Sequence, residues 1–250
     1  EKKARVASPA GALRRREFAR FLGSPTYMLN CGLGSVIGVA FAGFLLIRNS
    51  WAYENLSVLS EAVGIGIPRF APIAAAAVCM VLSTAAITAP SVSLEGRTIW
   101  LSQSLPVTPW QVLKAKLSMQ IILTAVPMAL CIVCAAAVYP FLPVQLLMMT
   151  LLVMSYVVLM ALFGLFLGVK NPILTWTNEI SPIKQSAPVM IALFGSFGYT
   201  ILLFVGYVAL PGWKLGFFGY MGCLAGLNLI LCALLYLWLK KKGSARFAEL

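Results

Sequence analysis

Cys131-x-x-Cys134 is the one pair in this chain whose spacing suits redox or metal chemistry, two thiols about one helical turn apart. It lies within MALCIVCAAAV, with no histidine or acid beside it, and reads as two small packing residues. Cys31, Cys79, Cys223 and Cys232 also fall in apolar runs, so no disulfide framework is expected. The chain has no histidine and no aspartate, which rules out a Ser-His-Asp triad, an HExxH zinc site and an aspartyl dyad. Glu54 and Glu61 share one loop and read as solvated carboxylates. No stretch matches the phosphate-binding pattern GxxxxGK[ST]. The residues therefore predict no catalytic group, no metal and no cofactor held by the chain itself.

The elements that carry these residues are set by composition. Of 250 residues, 61% are hydrophobic and 10% charged, with a mean hydropathy of +0.93. A soluble domain carries about 25% charged residues because its surface faces water. A bilayer core about 30 Å thick needs roughly 20 apolar residues per helix. Six runs approach that length without any Lys, Arg or Glu: Tyr27–Ile47, Phe70–Ala89, Leu117–Val138, Val144–Val169, Val189–Leu210 and Leu215–Leu239. They predict an all-α polytopic membrane protein with six transmembrane helices in a single domain. A lead-in segment occupies residues 1–26, the spans 27–239 and a tail 240–250. The opening residues read as the continuation of an upstream segment, so the chain is expected to be part of a longer protein.

Orientation follows from the basic residues, which collect on the cytoplasmic side of membrane proteins. With six spans, sixteen Lys and Arg lie on the side of the two termini and only Arg48, Arg69 and Lys214 on the other. Both termini and the loops 93–117 and 170–188 are thus expected in the cytoplasm, and the chain in the cell membrane. The net charge of +12 is membrane-flanking charge and does not indicate nucleic acid. Leu13–Leu22, with arginines and Phe18, Phe21 and Leu22 at helical spacing, predicts an interfacial helix against anionic lipid. Trp51 and Tyr53 suit an interface, and the outer loops after the third and fifth runs are short enough to force antiparallel hairpins. Gly34-x-x-x-Gly38, Gly164-x-x-x-Gly168 and Gly222-x-x-x-Gly226 predict close helix packing, and Pro127 a weakened third span.

Ion-coupled transport generally uses an ionisable side chain inside a span, and the six runs hold none. Their polar residues can bond between helices or line a passage; Thr84, Thr88, Gln120, Thr124, Ser155, Ser196 and Asn228 are the candidates for a passage. A chain with neither a P-loop nor intramembrane charge must take energy for transport from a partner. Ser93–Leu117 is where a partner would grip. Ser93 can cap a short helix with Glu95 in its first turn, and Leu94, Thr98, Leu101 and Leu105 share one face with Ile99 and Trp100 alongside. Leu105-Pro106 stops that helix, and Thr108-Pro109 starts the next.

SLEGRTIWLSQSLPV, residues 93–107, closely resembles the S-x-E-G-[KR]-x-x-W-x-x-x-S-L-P-[IV] loop of bacterial ATP-binding-cassette transporter permeases of the type 2 class. Pro172–Glu179 (PILTWTNE) with Lys184-Gln185-Ser186 resembles a second loop of those permeases, and REFARFLGSPTYMLN at 16–30 their lead-in to the first span of the C-terminal half. The resemblance implies the C-terminal six-span half of an exporter. It would work with a second six-span unit and a separate cytoplasmic ATPase that uses ATP and magnesium. It also implies a coupling helix in the first loop. The implied ATPase contacts are Leu94, Glu95, Gly96, Arg97, Trp100, Leu101 and Leu105, with Trp176, Asn178, Glu179 and Lys184 bracing that loop or touching the same partner. Asn178 and Glu179 can equally cap the following helix. Many such permeases carry re-entrant helices between spans five and six; here only Pro211-Gly212-Trp213-Lys214 stands there. A non-transporting scaffold that recruits a soluble protein through the same loops is the other reading.

Overall fold

Ser8 accepts the Gly11 N–H and Pro9 takes the first helical position, so the first helix, α1, runs Pro9–Gly23. Ser24 and Pro25 repeat that start for α2, Pro25–Cys31, and α3, Leu33–Ile47, follows Gly32 at a bend of 58°. A computed structural model describes residues 8–48, 50, 54–55, 58, 71–139, 141–208 and 216–250. Most of the outer loop read at 49–68, the turn 211–214 and the basic residues Lys2, Lys3 and Arg5 lie outside them. All regular structure among the described residues is helical. After α4 (Ala71–Leu82) come a single turn, α5 (Thr88–Ser91), a 3-10 segment at Ser93–Thr98 and α6 (Ile99–Gln103). The long helices are α7 (Pro109–Val138), α8 (Pro143–Lys170), α10 (Ala187–Val208) and α11 (Gly216–Trp238). Short α9 (Ile180–Lys184) precedes α10, and a π turn at Leu239–Gly243 joins α11 to α12 (Ser244–Glu249).

Among the described residues, four helical stretches are long and apolar enough to cross a membrane, and a fifth if bent α2–α3 is one span. The expected second span, Phe70–Ala89, is not one continuous helix over its described residues 71–89. Helix α4 covers Ala71–Leu82, and the chain leaves the helix after Leu82. The reason lies in the polar residues that follow. Ser83 and Thr84 turn their hydroxyls back to the carbonyls of Cys79 and Val81 at 2.9 and 2.8 Å, and Pro90 lacks an N–H. The backbone groups freed beyond Leu82 find side-chain partners on other helices. Gln120 of α7 donates to Ala85 O at 3.2 Å and accepts the Thr88 N–H at 2.6 Å, and the Tyr27 hydroxyl donates to Ile87 O at 2.6 Å. Irregular backbone at such depth survives only when buried in protein with its polar groups paired, and both conditions hold here.

Glycine makes the room. A Cβ on Gly164 would lie 2.6 Å from Thr88 Oγ1 and one on Gly168 2.5 Å from Ala89 O, so only glycines let α8 press against α5. Gly34 and Gly38 meet Thr84, Ala85 and Met128 in the same way, whereas Gly222 and Gly226 face open space. Helix α8 is the central post, packed against α4, α5, α7, α10 and α11. The main apolar core surrounds it, from Leu82 and Met128 to Tyr156 and Leu165.

Helix α1 turns Leu13, Glu17 and Phe21 inward against α7, a stripe at spacing four that includes a carboxylate. Arg14, Arg15 and Leu22 remain on its outer surface. The expected apolar face therefore seats largely on protein, and a charged residue goes in with it.

Candidate functional site

The inward stripe of α1 leads to an ionic cluster that joins three parts of the chain. Lys116, in the second turn of α7, is fully buried. Its ammonium donates to Glu95 Oε1 at 2.7 Å, Glu17 Oε2 at 3.0 Å and Ser91 O at 3.1 Å. An ammonium has three donors, and all three are used. Glu95 and Glu17 are 3% and 2% exposed, so neither carboxylate relies on water. Arg16 donates to Glu17 at 3.1 Å, Glu95 at 3.2 Å and the Ser102 hydroxyl at 3.0 Å. Arg20 lies 2.9 Å from Glu95 Oε1 and donates to Oε2 at 3.2 Å, where Ser102 also donates at 2.7 Å. Burial pushes the Glu95 carboxyl up, but Lys116 and Arg20 outweigh it and hold the group well below the usual carboxylate range.

Such a cluster contributes specificity more than net stability. Removing ions from water costs several kcal/mol each, and close, fully paired geometry only offsets that cost. What it decides is position: it locks residues 91–102 onto α1 and α7 at once.

The loop geometry follows from one glycine. Gly96 has φ 54° and ψ −140°, a region that side-chain-bearing residues rarely adopt, and it breaks the segment in two. A Cβ there would stand 3.2 Å from the Trp176 ring. Trp176 donates its indole N–H to Ser93 O at 2.7 Å, and the Ser93 hydroxyl accepts the Ile173 N–H at 3.0 Å. Ser93 therefore caps no helix; its side chain is taken by the second loop. Behind this contact, Leu94 and Ile183 pack with Phe21, Tyr27, Ile87 and Met119. Gly96→Ala should cost about 1–3 kcal/mol in strain and in displacing the indole. Thermal unfolding in detergent checks this: in a Trp176→Ala background the cost should shrink to the backbone part, and an undiminished cost would refute the ring contact.

The expected docking residues thus divide. Leu94, Glu95 and Gly96 are buried, and Glu95 acts by positioning the loop. Arg97 is exposed, and Trp100, Leu101 and Leu105 are 62%, 52% and 36% exposed. Trp176 is half-buried and braces the first loop. Asn178 is exposed and accepts the Ile180 N–H at 3.0 Å, an Asx turn leading into α9; Glu179, at the N-cap position, is half-buried, and Lys184 is exposed. From the other side, Gln103 donates to Phe247 O at 2.9 Å, tying α6 to the buried Phe247 turn of α12.

The seven candidates for a passage are spread over α5, α7, α8, α10, α11 and the turn after α4. Thr84 is half-buried and the other six are buried. Thr88 donates to Gln120 at 2.7 Å and to Ala161 O at 2.9 Å, and Thr124 donates to its own helix at Gln120 O. Asn228 donates to Ser155 at 3.1 Å and accepts from Tyr199, which couples α11 to α8 and α10; Ser196 bonds Ala192 O. Thr88, Gln120, Ser155, Ser196 and Asn228 thus join helices, while Thr84 and Thr124 bond locally.

Sequence reasoning missed Lys116, Arg16, Arg20 and Ser102 as partners of Glu95, and Glu17 as the second carboxylate that shares Lys116, Arg16 and Arg20 with it. The available signal was Glu17, a lone acid among the arginines of α1. No group of three or more potential metal ligands occurs among the described residues. Comparison with protein-family models, curated proteins and solved structures finds no match.

Proposed function

We propose that this chain is a membrane permease unit of an ATP-driven transporter, an exporter, coupled to a separate cytoplasmic ATPase through residues 97–105. The observation that carries the reading is an outward apolar surface, Trp100 and Leu101 on short α6 with Leu105 just after it and Arg97 just before it, on a loop anchored to α1 and α7. Aromatic and arginine side chains in this setting are typical anchors of protein interfaces. The loop resemblance to type 2 permeases names the partner, and the excess of basic residues at this end favours the cytoplasmic side. In this reading the ATPase pulls on α6, and the pull passes through Glu95 to Lys116 of α7 and Arg16 and Arg20 of α1. The passage lies between this unit and a second six-span unit.

The test is co-purification with an ABC ATPase expressed alongside. Trp100→Ala should weaken the complex at least 30-fold, the loss of a hot-spot side chain worth about 2 kcal/mol, with thermal stability unchanged because the ring is exposed. Normal binding and transport by that variant would overturn the reading. The scaffold alternative draws support from Thr88, Gln120, Ser155, Ser196 and Asn228, whose side chains bond between helices. A bound ATPase whose hydrolysis is not stimulated by any substrate would favour it.

A further inference from the structure

One stripe of α7 lines two grooves. At the basic end, Gln111, Lys114, Ala115 and Ser118 face Ala10 and Arg14 of α1 across a cavity of about 320 Å³. Deeper along the same stripe, Ile122, Leu123, Val126 and Pro127 face Ser35, Val36, Val39 and Ala40 of α3 across an open groove of about 680 Å³. The first groove has two cations, two neutral polar side chains and no acid among its lining residues. The second is almost wholly apolar, and its rim residues Val36, Val39, Ile122 and Val126 are 63%, 49%, 43% and 67% exposed. Lys114 to Val126 is twelve residues of helix, about 18 Å, the distance from a headgroup well into an acyl chain.

We propose that this paired groove between α1, α3 and α7 is a binding site for an anionic phospholipid, with the phosphate between Arg14 and Lys114 and an acyl chain along Val39, Ile122 and Val126. Basic pockets at the cytoplasmic end of membrane helices select anionic headgroups, and charge complementarity selects them here. The apolar groove directly beneath the cations distinguishes a lipid from a free phosphate, which has no use for it. The buried cluster fixes the geometry: Glu17 and Lys116 hold α1 against α7 on the opposite side, so Arg14 and Lys114 keep their spacing without a ligand. The inference requires only that the chain sits in a bilayer, not that it transports.

The experiment is native mass spectrometry of the detergent-purified chain titrated with phosphatidylglycerol or phosphatidylcholine. Phosphatidylglycerol should bind about tenfold more tightly or better. Arg14→Gln with Lys114→Gln should weaken it about 30-fold, at roughly fivefold per basic residue, and leave phosphatidylcholine unaffected. Val126→Trp, which fills the lower groove, should weaken both lipids. Arg246→Gln with Lys242→Gln, equal in charge and outside both groove linings, should change nothing. Arg14 and Lys114 are exposed, so the double variant should keep its helical circular dichroism, and Lys114→Arg should retain binding. Equal affinity for the two lipids, or an unchanged double variant, would overturn the site. Displacement of phosphatidylglycerol by equimolar inorganic phosphate would assign the upper groove to a soluble anion and overturn the lipid assignment.

Discussion

Lys116→Met should destabilise the chain by about 3–5 kcal/mol, the usual cost of breaking a buried ion pair by removing one partner. The methionine fills the space and replaces none of the three donations to Glu95, Glu17 and Ser91. Two carboxylates that are at most 3% exposed would then depend on Arg16 and Arg20, which approach from the solvent side at 29% and 27% side-chain exposure. The measurement is the thermal midpoint in detergent, where a fall on the order of 10 °C is expected. Lys116→Arg should not rescue, because a planar guanidinium cannot reproduce three converging bonds from one atom. A midpoint within a degree or two of the parent would show that the cluster is better solvated than its geometry implies. A second test combines Lys116→Met with Glu95→Gln: the two losses should be far from additive, since both act on the same contact.

Glu95 should also make the loop sensitive to acid. Its folded pKa lies below the ordinary value of about 4.3, so the stabilisation is complete above that value and is lost as the pH falls below it. The thermal midpoint of the parent chain should therefore hold between pH 7 and about 5 and drop steeply below about 4. Glu95→Gln should start lower at pH 7, by about 3 kcal/mol, and show a shallower acid limb, because the group that titrates has gone. Identical acid limbs would mean that Glu95 is not the titrating group. Truncating the same residue bears on function: Glu95→Ala is not a clean uncoupling mutation. It unseats the whole 91–102 segment, while Trp100→Ala removes surface contact alone.

Much of the architecture was legible along the chain because it depends on neighbours. Thr108-Pro109 announces the start of α7, and the Thr108–Gln111 capping box bears it out in detail. Gly34, Gly38, Gly164 and Gly168 announce close approach, and each packs against another segment of the chain. The second run misled because hydropathy counts carbon and ignores hydrogen bonds. Ser83, Thr84, Thr88 and Pro90 look tolerable in a 20-residue average, yet together they offer the backbone alternatives to a helix. Those alternatives are stable only because Gln120 and Tyr27 arrive from elsewhere.

Residue order alone specifies that the chain is apolar, that its described residues are helical, where most long helices begin and end, and that the loop at 93–107 is exceptional. Apolar length, caps and glycine spacing are local properties, readable one window at a time. Only the tertiary structure decided what Glu95 does. As a charged loop residue it reads as a surface contact; its partners Arg16, Arg20 and Lys116 lie 79, 75 and 21 positions away. Whether a charge faces a partner protein or its own chain depends on which helices fold over it, and no window of sequence contains that information. The structure left Arg97, Trp100, Leu101 and Leu105 facing outward and committed Glu95 to holding them there.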